Sequence, residues 1–370
     1  MKVLYLVSTL KRTGPTNQLL NLVSRVSNKF ETVVVTLSPE ENDSLKNDFI
    51  GKGVKVRSLN LSRLAGLFWS KKALKEVILD EQPDIIHSQG VRSDSLAVRA
   101  SSFIPSITTV RNFPQLDLLM TYGNFKGKLL ELNQLKALRK MSAVCGVSRA
   151  VTRNLISHYG LDKVTCVLNG VDTERYSSVS NDIKEERRKS LNLPVSEYQF
   201  ISTGHLSSRK NPIGLINAFR EAFGTGEKVS LVMVGGGELE SECKLLAKDL
   251  NIHFTGRVTN VHDYLAASDC FVSVSLAEGM PNAALEAMAT GLPVILSDIP
   301  PHKEIFELNS NIGSQFRLNE PDELVSKLKS MISDNRDSYT AALSEIIESE
   351  LSADVMASRY MSLYKSILGT

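Results

Sequence analysis

Short runs of β-branched and aliphatic residues alternate along the chain with stretches whose apolar positions recur every three or four residues. The first pattern fits strands buried in a sheet and the second fits amphipathic helices. Strands are expected at residues 3–8, 32–37, 54–59, 85–87, 106–110, 143–147 and 164–168. Helical stretches such as 17–26, 71–79 and 148–158 lie between them. Strand and helix in alternation predict a parallel sheet covered by helices on both faces.

The pattern pauses over residues 176–197, which are polar, charged and run through Pro194, and which read as a linker carrying one helix at 182–191. It then restarts, with strands at 200–203, 229–234, 252–255, 270–274 and 293–296. Helices are expected at 212–223, 238–250, 261–267 and 281–289. The fold class predicted is α/β, with two tandem doubly wound, Rossmann-like domains at 1–175 and 198–350. A terminal segment, 351–370, carries a long helix at 353–368 that could cross back to the N-terminal domain. Ligands of such sheets sit beyond the carboxyl ends of the strands.

A chain of 370 residues is long enough for two domains, and its 42% hydrophobic content can fill two cores without covalent staples. Four scattered cysteines, Cys145, Cys166, Cys243 and Cys270, form no Cys-x-x-Cys pair and fit a reducing compartment. The opening residues, Met1 to Ser8, read as a first strand rather than a signal peptide, and no stretch of about 18 apolar residues occurs. A cytoplasmic location is expected, with a peripheral position on the inner face of the plasma membrane as an option. Charge is uneven: residues 1–175 hold 25 Lys and Arg against 15 Asp and Glu, and residues 176–370 hold 18 against 26. A basic first half suits an anionic partner, either a lipid surface or a phosphorylated acceptor; chance unevenness is the plainer reading.

The segment Glu278-Gly279-Met280-Pro281-Asn282-Ala283-Ala284-Leu285-Glu286 follows an apolar strand, and Pro281 suits a first helical position. Exposed N–H groups at that start attract anions or hydroxyl oxygens. Glu278 in the loop and Glu286 inside the helix offer two carboxylates at different depths. Alone, these glutamates would more often be a surface and a helix-solvating residue. The wider stretch through Gly291-Leu292-Pro293, with Gly256-Arg257-Val258 and Tyr264 to Asp269 before it, resembles glycosyltransferase family 4, the retaining transferases of GT-B fold. The resemblance covers the whole second domain and, more loosely, the first.

It implies a GT-B architecture in which two Rossmann-like domains face a central cleft. It also implies that Glu278 approaches the transferred sugar and that Glu286 holds the ribose of the nucleotide. Backbone groups of Gly279, Met280, Pro281 and Asn282 would touch the sugar and diphosphate, and main-chain groups of Arg257 and Val258 would meet the base. In the loop Gly204-His205-Leu206-Ser207-Ser208-Arg209-Lys210-Asn211-Pro212, adjacent cations sit at a helix start, where the helix dipole disfavours them unless an anion is bound. The family carries Gly-Arg and then Lys here, both gripping the donor diphosphate. Lys210 matches the Lys, but His205 stands where the Arg is expected, so either Arg209 or His205 supplies the second positive charge. Glu278, Lys210 and Arg209 are the expected catalytic residues.

Gly14, in Thr13-Gly14-Pro15-Thr16-Asn17, allows close backbone approach, and Thr16 or Asn17 could cap the next helix. Family members show two glycines at this point, facing the donor phosphates across the cleft. No Gly-x-Gly-x-x-Gly fingerprint occurs at this first turn, which disfavours a dehydrogenase. Around the acceptor, Asp84 to Gly90 resembles a family strand ending in His87, and Arg111 and Asn112 stand where many members carry another His. Arg111 cannot serve as a base at neutral pH. Gly235-Gly236-Gly237 reads as a tight turn for close packing or donor approach, and Asn169 to Asp172 as the entry to the connection between domains.

The function implied is transfer of a sugar from a nucleotide-diphosphate sugar, UDP-linked, to a glycan or polyprenyl-linked glycan, with retention and without a metal or other cofactor. Bacterial surface polysaccharide synthesis is the expected setting, and no nucleic-acid partner is expected. Basic residues around two apolar stretches, Lys126, Lys128, Lys136, Arg139 and Lys140 at 129–138 and Arg63, Lys71, Lys72 and Lys75 at Leu67-Phe68-Trp69, could rest on an anionic membrane. The rival readings are a nucleotide-sugar epimerase of the same fold and a non-enzymatic nucleotide-sugar-binding protein.

Overall fold

The computed structural model describes residues 1–101, 103–225, 228–334 and 337–370. Residues 1–170 with 353–370 form one unit, and residues 171–352 form the other.

In the first unit the elements run β1 (Lys2–Val7), α1 (Gly14–Val26), β2 (Glu31–Thr36), α2 (Lys46–Gly51), β3 (Lys55–Ser58), α3 (Arg63–Glu81) and β4 (Ile85–Gln89). They continue with α4 (Val91–Ala100), β5 (Ser106–Val110), α5 (Pro114–Tyr122), α6 (Asn124–Leu138), β6 (Ala143–Gly146), α7 (Arg149–Ser157) and β7 (Val164–Cys166). The strands pair in parallel in the order β3-β2-β1-β4-β5-β6-β7. Val3, Leu4, Tyr5 and Leu6 are all fully buried, because a central parallel strand is covered on both faces. The C-terminal helix Ala353–Leu368 belongs to this unit and lays Met356, Tyr360 and Tyr364 into the same core as Tyr5, Leu19 and Val23.

The second unit begins with α8 (Asn181–Ser190), β8 (Tyr198–Thr203), a 3₁₀ turn (Ser208–Lys210), α9 (Pro212–Phe223), β9 (Val229–Val234), α10 (Glu240–Leu246) and β10 (Ile252–Gly256). It continues through α11 (Val261–Ala266), β11 (Cys270–Ser273), α12 (Asn282–Ala289), β12 (Val294–Ser297), α13 (Pro300–Leu308), β13 (Gly313–Phe316), α14 (Pro321–Ser333) and α15 (Asp337–Ile346). Its strands are also parallel, in the order β10-β9-β8-β11-β12-β13. Among the described residues, no helix is long and apolar enough to cross a membrane.

The segment 176–197 is not a free linker. Its helix α8 is fastened into the second unit by Arg188, which is buried and donates to Ala267 O (2.7 Å), Val195 O (3.0 Å), Glu197 O (2.8 Å) and Asp269 Oδ2 (2.6 Å). Lys184 Nζ reaches the other Asp269 oxygen at 2.7 Å. Asp269 also accepts from Gln199 N on β8 at 2.8 Å, so Lys184 and Arg188 of α8 face inward while its other charges stay exposed. The second unit accordingly starts at Val171, whose N–H donates to Leu351 O at 2.8 Å.

Candidate active site

Both sheets reverse the direction of their connections at the middle. In the second unit β8 leads outward to β9, and its neighbour β11 leads the other way to β12, so the loops leaving β8 and β11 open a crevice at the strand ends. The β8 loop brings Arg209 and Lys210 on its 3₁₀ turn, and the β11 loop brings Glu278. Asn211 adopts φ +52° and its side chain accepts from Gly214 N at 3.3 Å, which caps α9 and fixes the two cations just ahead of it.

Arg209 Nη1 lies 3.1 Å from Glu278 Oε2 and donates to Ala277 O at 2.9 Å, while Lys210 Nζ donates to Glu278 Oε1. The loops are also tied through the main chain, Leu276 N donating to Arg209 O at 2.8 Å. Burial raises the Glu278 carboxyl, but Lys210 and Arg209 outweigh it and bring it down to about 2. Two cations thus face a single buried carboxylate, leaving one positive charge to be matched by a ligand.

Glu286 lies one turn into α12, where burial raises its carboxyl to about 7 against the opposing pull of Arg175, Lys210 and the Tyr176 hydroxyl. Lys210 therefore acts on both glutamates. Gly279, Met280 and Pro281 are buried and Asn282 half-buried at the start of α12. Pro281 is one residue earlier than expected: it stands at the cap, with φ −81° and ψ 78°, and the helix proper opens at Asn282.

Arg209, not His205, joins Lys210 on Glu278, while His205 lines a small pocket with Lys210. His205 is exposed and sits 2.9 Å from Glu238. Gly204 has φ +146°, and an added Cβ would come within 3.4 Å of Lys210 Cε, so this glycine leaves the lysine its path. A Cβ at Gly235 would lie 1.9 Å from Gly204 O, which explains the tight turn there as close packing of two loops. Arg257 is exposed and Val258 half-buried just past the end of β10, beside Gly236.

Three residues in this crevice carried no sequence signal. Arg175 and Tyr176 act on Glu286 from the segment leading to α8. His302, fully buried at the start of α13, holds Ser297 Oγ at 3.0 Å through Nδ1 and has no partner for Nε2 among the described residues. Its ring is pulled down to about 4 by burial, with Glu278 drawing it back up.

In the first unit, the loops leaving β1, β4 and β5 surround an open pocket of about 290 Å³ lined by Ser8, Thr16, Gln89, Arg111 and Asn112. Gly14 is the first residue of α1, so the helix starts before Thr16 and Asn17; neither is its cap residue, and Thr13 holds that place without a side-chain cap bond. His87 does not line this pocket. It is fully buried, with Nδ1 2.7 Å from Tyr364 Oη and Nε2 2.7 Å from Thr109 Oγ1, and burial pulls it down to about 3. The ring is a neutral core residue tying the C-terminal helix to the sheet. Arg111 and Asn112 do line the pocket.

Between α3, α4 and α6 lies a second groove, of about 440 Å³, lined by Arg63, Arg92, Arg99, Lys136 and Lys140, with no carboxylate among the described residues that line it. Leu64, Leu67, Phe68 and Trp69 on α3 and Phe125, Leu129 and Leu132 on α6 are exposed beside it. The fold thus joins two stretches far apart in sequence.

Two family models match the chain: "Glycosyltransferase Family 4" over residues 13–175 and "Glycosyl transferases group 1" over residues 183–348. The chain is 25% identical to the O-antigen biosynthesis glycosyltransferase WclY of Escherichia coli, with 99% of each chain covered. It is 28% identical to the UDP-Gal:alpha-D-GlcNAc-diphosphoundecaprenol alpha-1,3-galactosyltransferase of Escherichia coli, over 69% of this chain and 68% of that one. Among solved structures, HepE from Anabaena in complex with UDP-glucose superposes with a TM-score of 0.82 at 19% identity, covering 99% of this chain and 100% of that one. WaaG, a glycosyltransferase involved in lipopolysaccharide biosynthesis, superposes with a TM-score of 0.73 at 14% identity over the full length of both chains. With both halves matched and the sheets in this order, the chain belongs to the family 4 glycosyltransferases of GT-B fold.

Proposed function

We propose that this glycosyltransferase takes a hexose from a UDP-linked donor and passes it, with retention and without a metal, to a glycan or polyprenyl-linked glycan of a surface polysaccharide. The carrying observation is the surplus of positive charge at the strand ends of the second unit, where Arg209 and Lys210 both pair with the one carboxylate of Glu278 and burial raises the Glu286 carboxyl. That surplus suits a diphosphate, and the related O-antigen enzymes and the neighbour holding UDP-glucose supply the class of donor and product. As the anomeric C–O bond to phosphate breaks, Lys210, Arg209 and the start of α12 carry the charge of the departing diphosphate. The acceptor hydroxyl forms the new bond from the same face, and its proton goes to the leaving phosphate. Glu278 approaches the sugar and Glu286 accepts from the ribose hydroxyls, while Val258 and the Arg257 main chain meet the base.

Incubation with a panel of nucleotide sugars tests this reading. Slow release of nucleotide from one of them is expected; interconversion of sugars would mean an epimerase, and absence of turnover a binding protein.

The raised Glu286 carboxyl gives a pH signature. A group raised from 4.5 to about 7 is neutral in the folded protein at pH 6 and ionised at pH 8, and the stability its neutral form supports is lost as pH rises through 7. If the ribose requires the carboxylate, UDP affinity rises about tenfold from pH 6 to pH 8 beyond the ligand's own titration. Calorimetric titration of the wild type and Glu286→Gln checks this; equal pH slopes would remove the ribose assignment.

The first unit is also proposed to rest on an anionic membrane through the α3–α4–α6 groove, whose cations suit lipid phosphates and whose apolar flanks suit the interface. Flotation with phosphatidylglycerol vesicles but not phosphatidylcholine vesicles is expected, and loss of flotation in Lys136→Glu/Lys140→Glu. Equal behaviour with both lipids would contradict it.

A further inference from the structure

We infer that the pocket at the strand ends of the first unit seats an oxyanion carried by the acceptor, a phosphate or a carboxylate. This deepens the reading above, because it rests on the first unit receiving the acceptor. The pocket lies where β1 and β4 send their connections in opposite directions, the place where an open parallel sheet binds ligands.

Three helices start on its wall: Pro15 and Thr16 of α1, Val91 of α4 and Pro114 of α5 line it. None of these starts is capped by a side chain, whereas α3 and α7 in the same unit are capped by Ser62 and Ser148. Each uncapped start presents about half a positive charge and unsatisfied N–H groups.

Arg111 adds a full charge. Its Nη2 and Nε donate to Gln89 Oε1 at 2.8 and 3.3 Å, and Nη1 approaches Asn169 Oδ1 at 3.5 Å. These partners are neutral amides, and among the described residues no carboxylate lies in ion-pair range of Arg111. A partly buried cation left with neutral partners is costly until an anion arrives. Among the described residues, the one carboxylate lining the pocket, Asp117, is exposed and accepts from Asn112 Nδ2 at 2.9 Å.

Gln89 supplies the independent sign. Its oxygen is committed to Arg111, which leaves its amide nitrogen as a donor, and that nitrogen is buried without a partner among the described residues. A buried N–H₂ beside an unpaired guanidinium asks for an acceptor with more than one oxygen. A neutral hydroxyl would satisfy the amide but leave the Arg111 charge unmatched.

The test is titration of the full chain, saturated with UDP, by methyl glucoside, glucuronate and glucose 1-phosphate. At least one anionic sugar is expected to bind about ten- to a hundredfold more tightly than the neutral one. Which of the two binds tells carboxylate from phosphate. Gln89→Glu, nearly the same shape, pairs with Arg111 from within and is expected to abolish the preference while folding normally. Arg111→Gln should abolish it also, and Arg111→Lys should keep most of it; UDP affinity stays within about twofold in all three, since the donor loops are untouched. Equal binding of charged and neutral sugars, no binding of any of them, or a preference that survives Gln89→Glu and Arg111→Gln would overturn the inference. Failure of UDP itself to bind would instead overturn the donor reading, and the contrast between charged and neutral sugars would still report on the pocket.

Discussion

Replacing Lys210 with Ala is expected to slow release of nucleotide from the donor by about a hundred- to a thousandfold, the usual effect of removing one preorganised group from a developing negative charge. Lys210 Nζ is held against Glu278 Oε1, and its charge also lowers the Glu286 carboxyl, so a single side chain influences both glutamates of the crevice. The fold should persist, because Arg209 stays 3.1 Å from Glu278 and the Leu276–Arg209 main-chain bond does not involve the lysine. Lys210→Arg, which keeps the charge but changes its shape, should fall between wild type and Ala. Turnover in Lys210→Ala within a fewfold of wild type would remove Lys210 from the catalytic set.

Arg188→Ala is expected to destabilise the second unit by about 3–5 kcal/mol, the cost of breaking a buried ion pair from one side. Arg188 satisfies three main-chain carbonyls and one Asp269 oxygen at once, and its removal leaves the buried Ala267 carbonyl without that donor and Asp269 without its guanidinium partner. Lys184 keeps the other Asp269 oxygen occupied, which limits the loss. Calorimetry of the full chain should show the second unit's transition lowered by on the order of 10 °C. A loss under about 1 kcal/mol would mean that α8 is only tethered, as a surface substitution usually costs that little.

Much of the architecture is written in the hydrophobic pattern. Twelve of the thirteen strands are central enough, or apolar enough, to show as short β-branched runs. The elements without a signal have identifiable reasons. Helix α4 turns Ser93 and Asp94 into the interior beside Leu96, Ala97 and Ala100, and Asp94 accepts there from Ser88 and Thr108, so its inward stripe is broken by polar residues. Strand β13 is an edge strand of four residues with only Phe316 buried. Helix α8 is expected at 182–191, but as part of a linker because its charges imply a surface, and Lys184 and Arg188 prove internal. In α4 and α8 polar side chains find partners that only the tertiary structure supplies.

The site was legible where residues lie together in sequence, in the loop before α12 and the cations before α9. His302, Arg175 and Tyr176 carry no sequence signal because they reach the glutamates from segments with no spacing relation to them. The error at His87 has a simple cause. A histidine at a strand end can point to solvent or inward, and here the hydroxyls of Tyr364 and Thr109 satisfy both ring nitrogens inside the core.

The most direct measurement is a crystal structure with uridine or guanosine diphosphate bound. The diphosphate should lie against the first residues of α12, with Lys210 Nζ and the Arg209 guanidinium turned from Glu278 onto its oxygens and the ribose within hydrogen-bond reach of Glu286. A nucleotide found elsewhere, with Arg209 and Lys210 still closed on Glu278, would contradict the assignment of this crevice as the donor site.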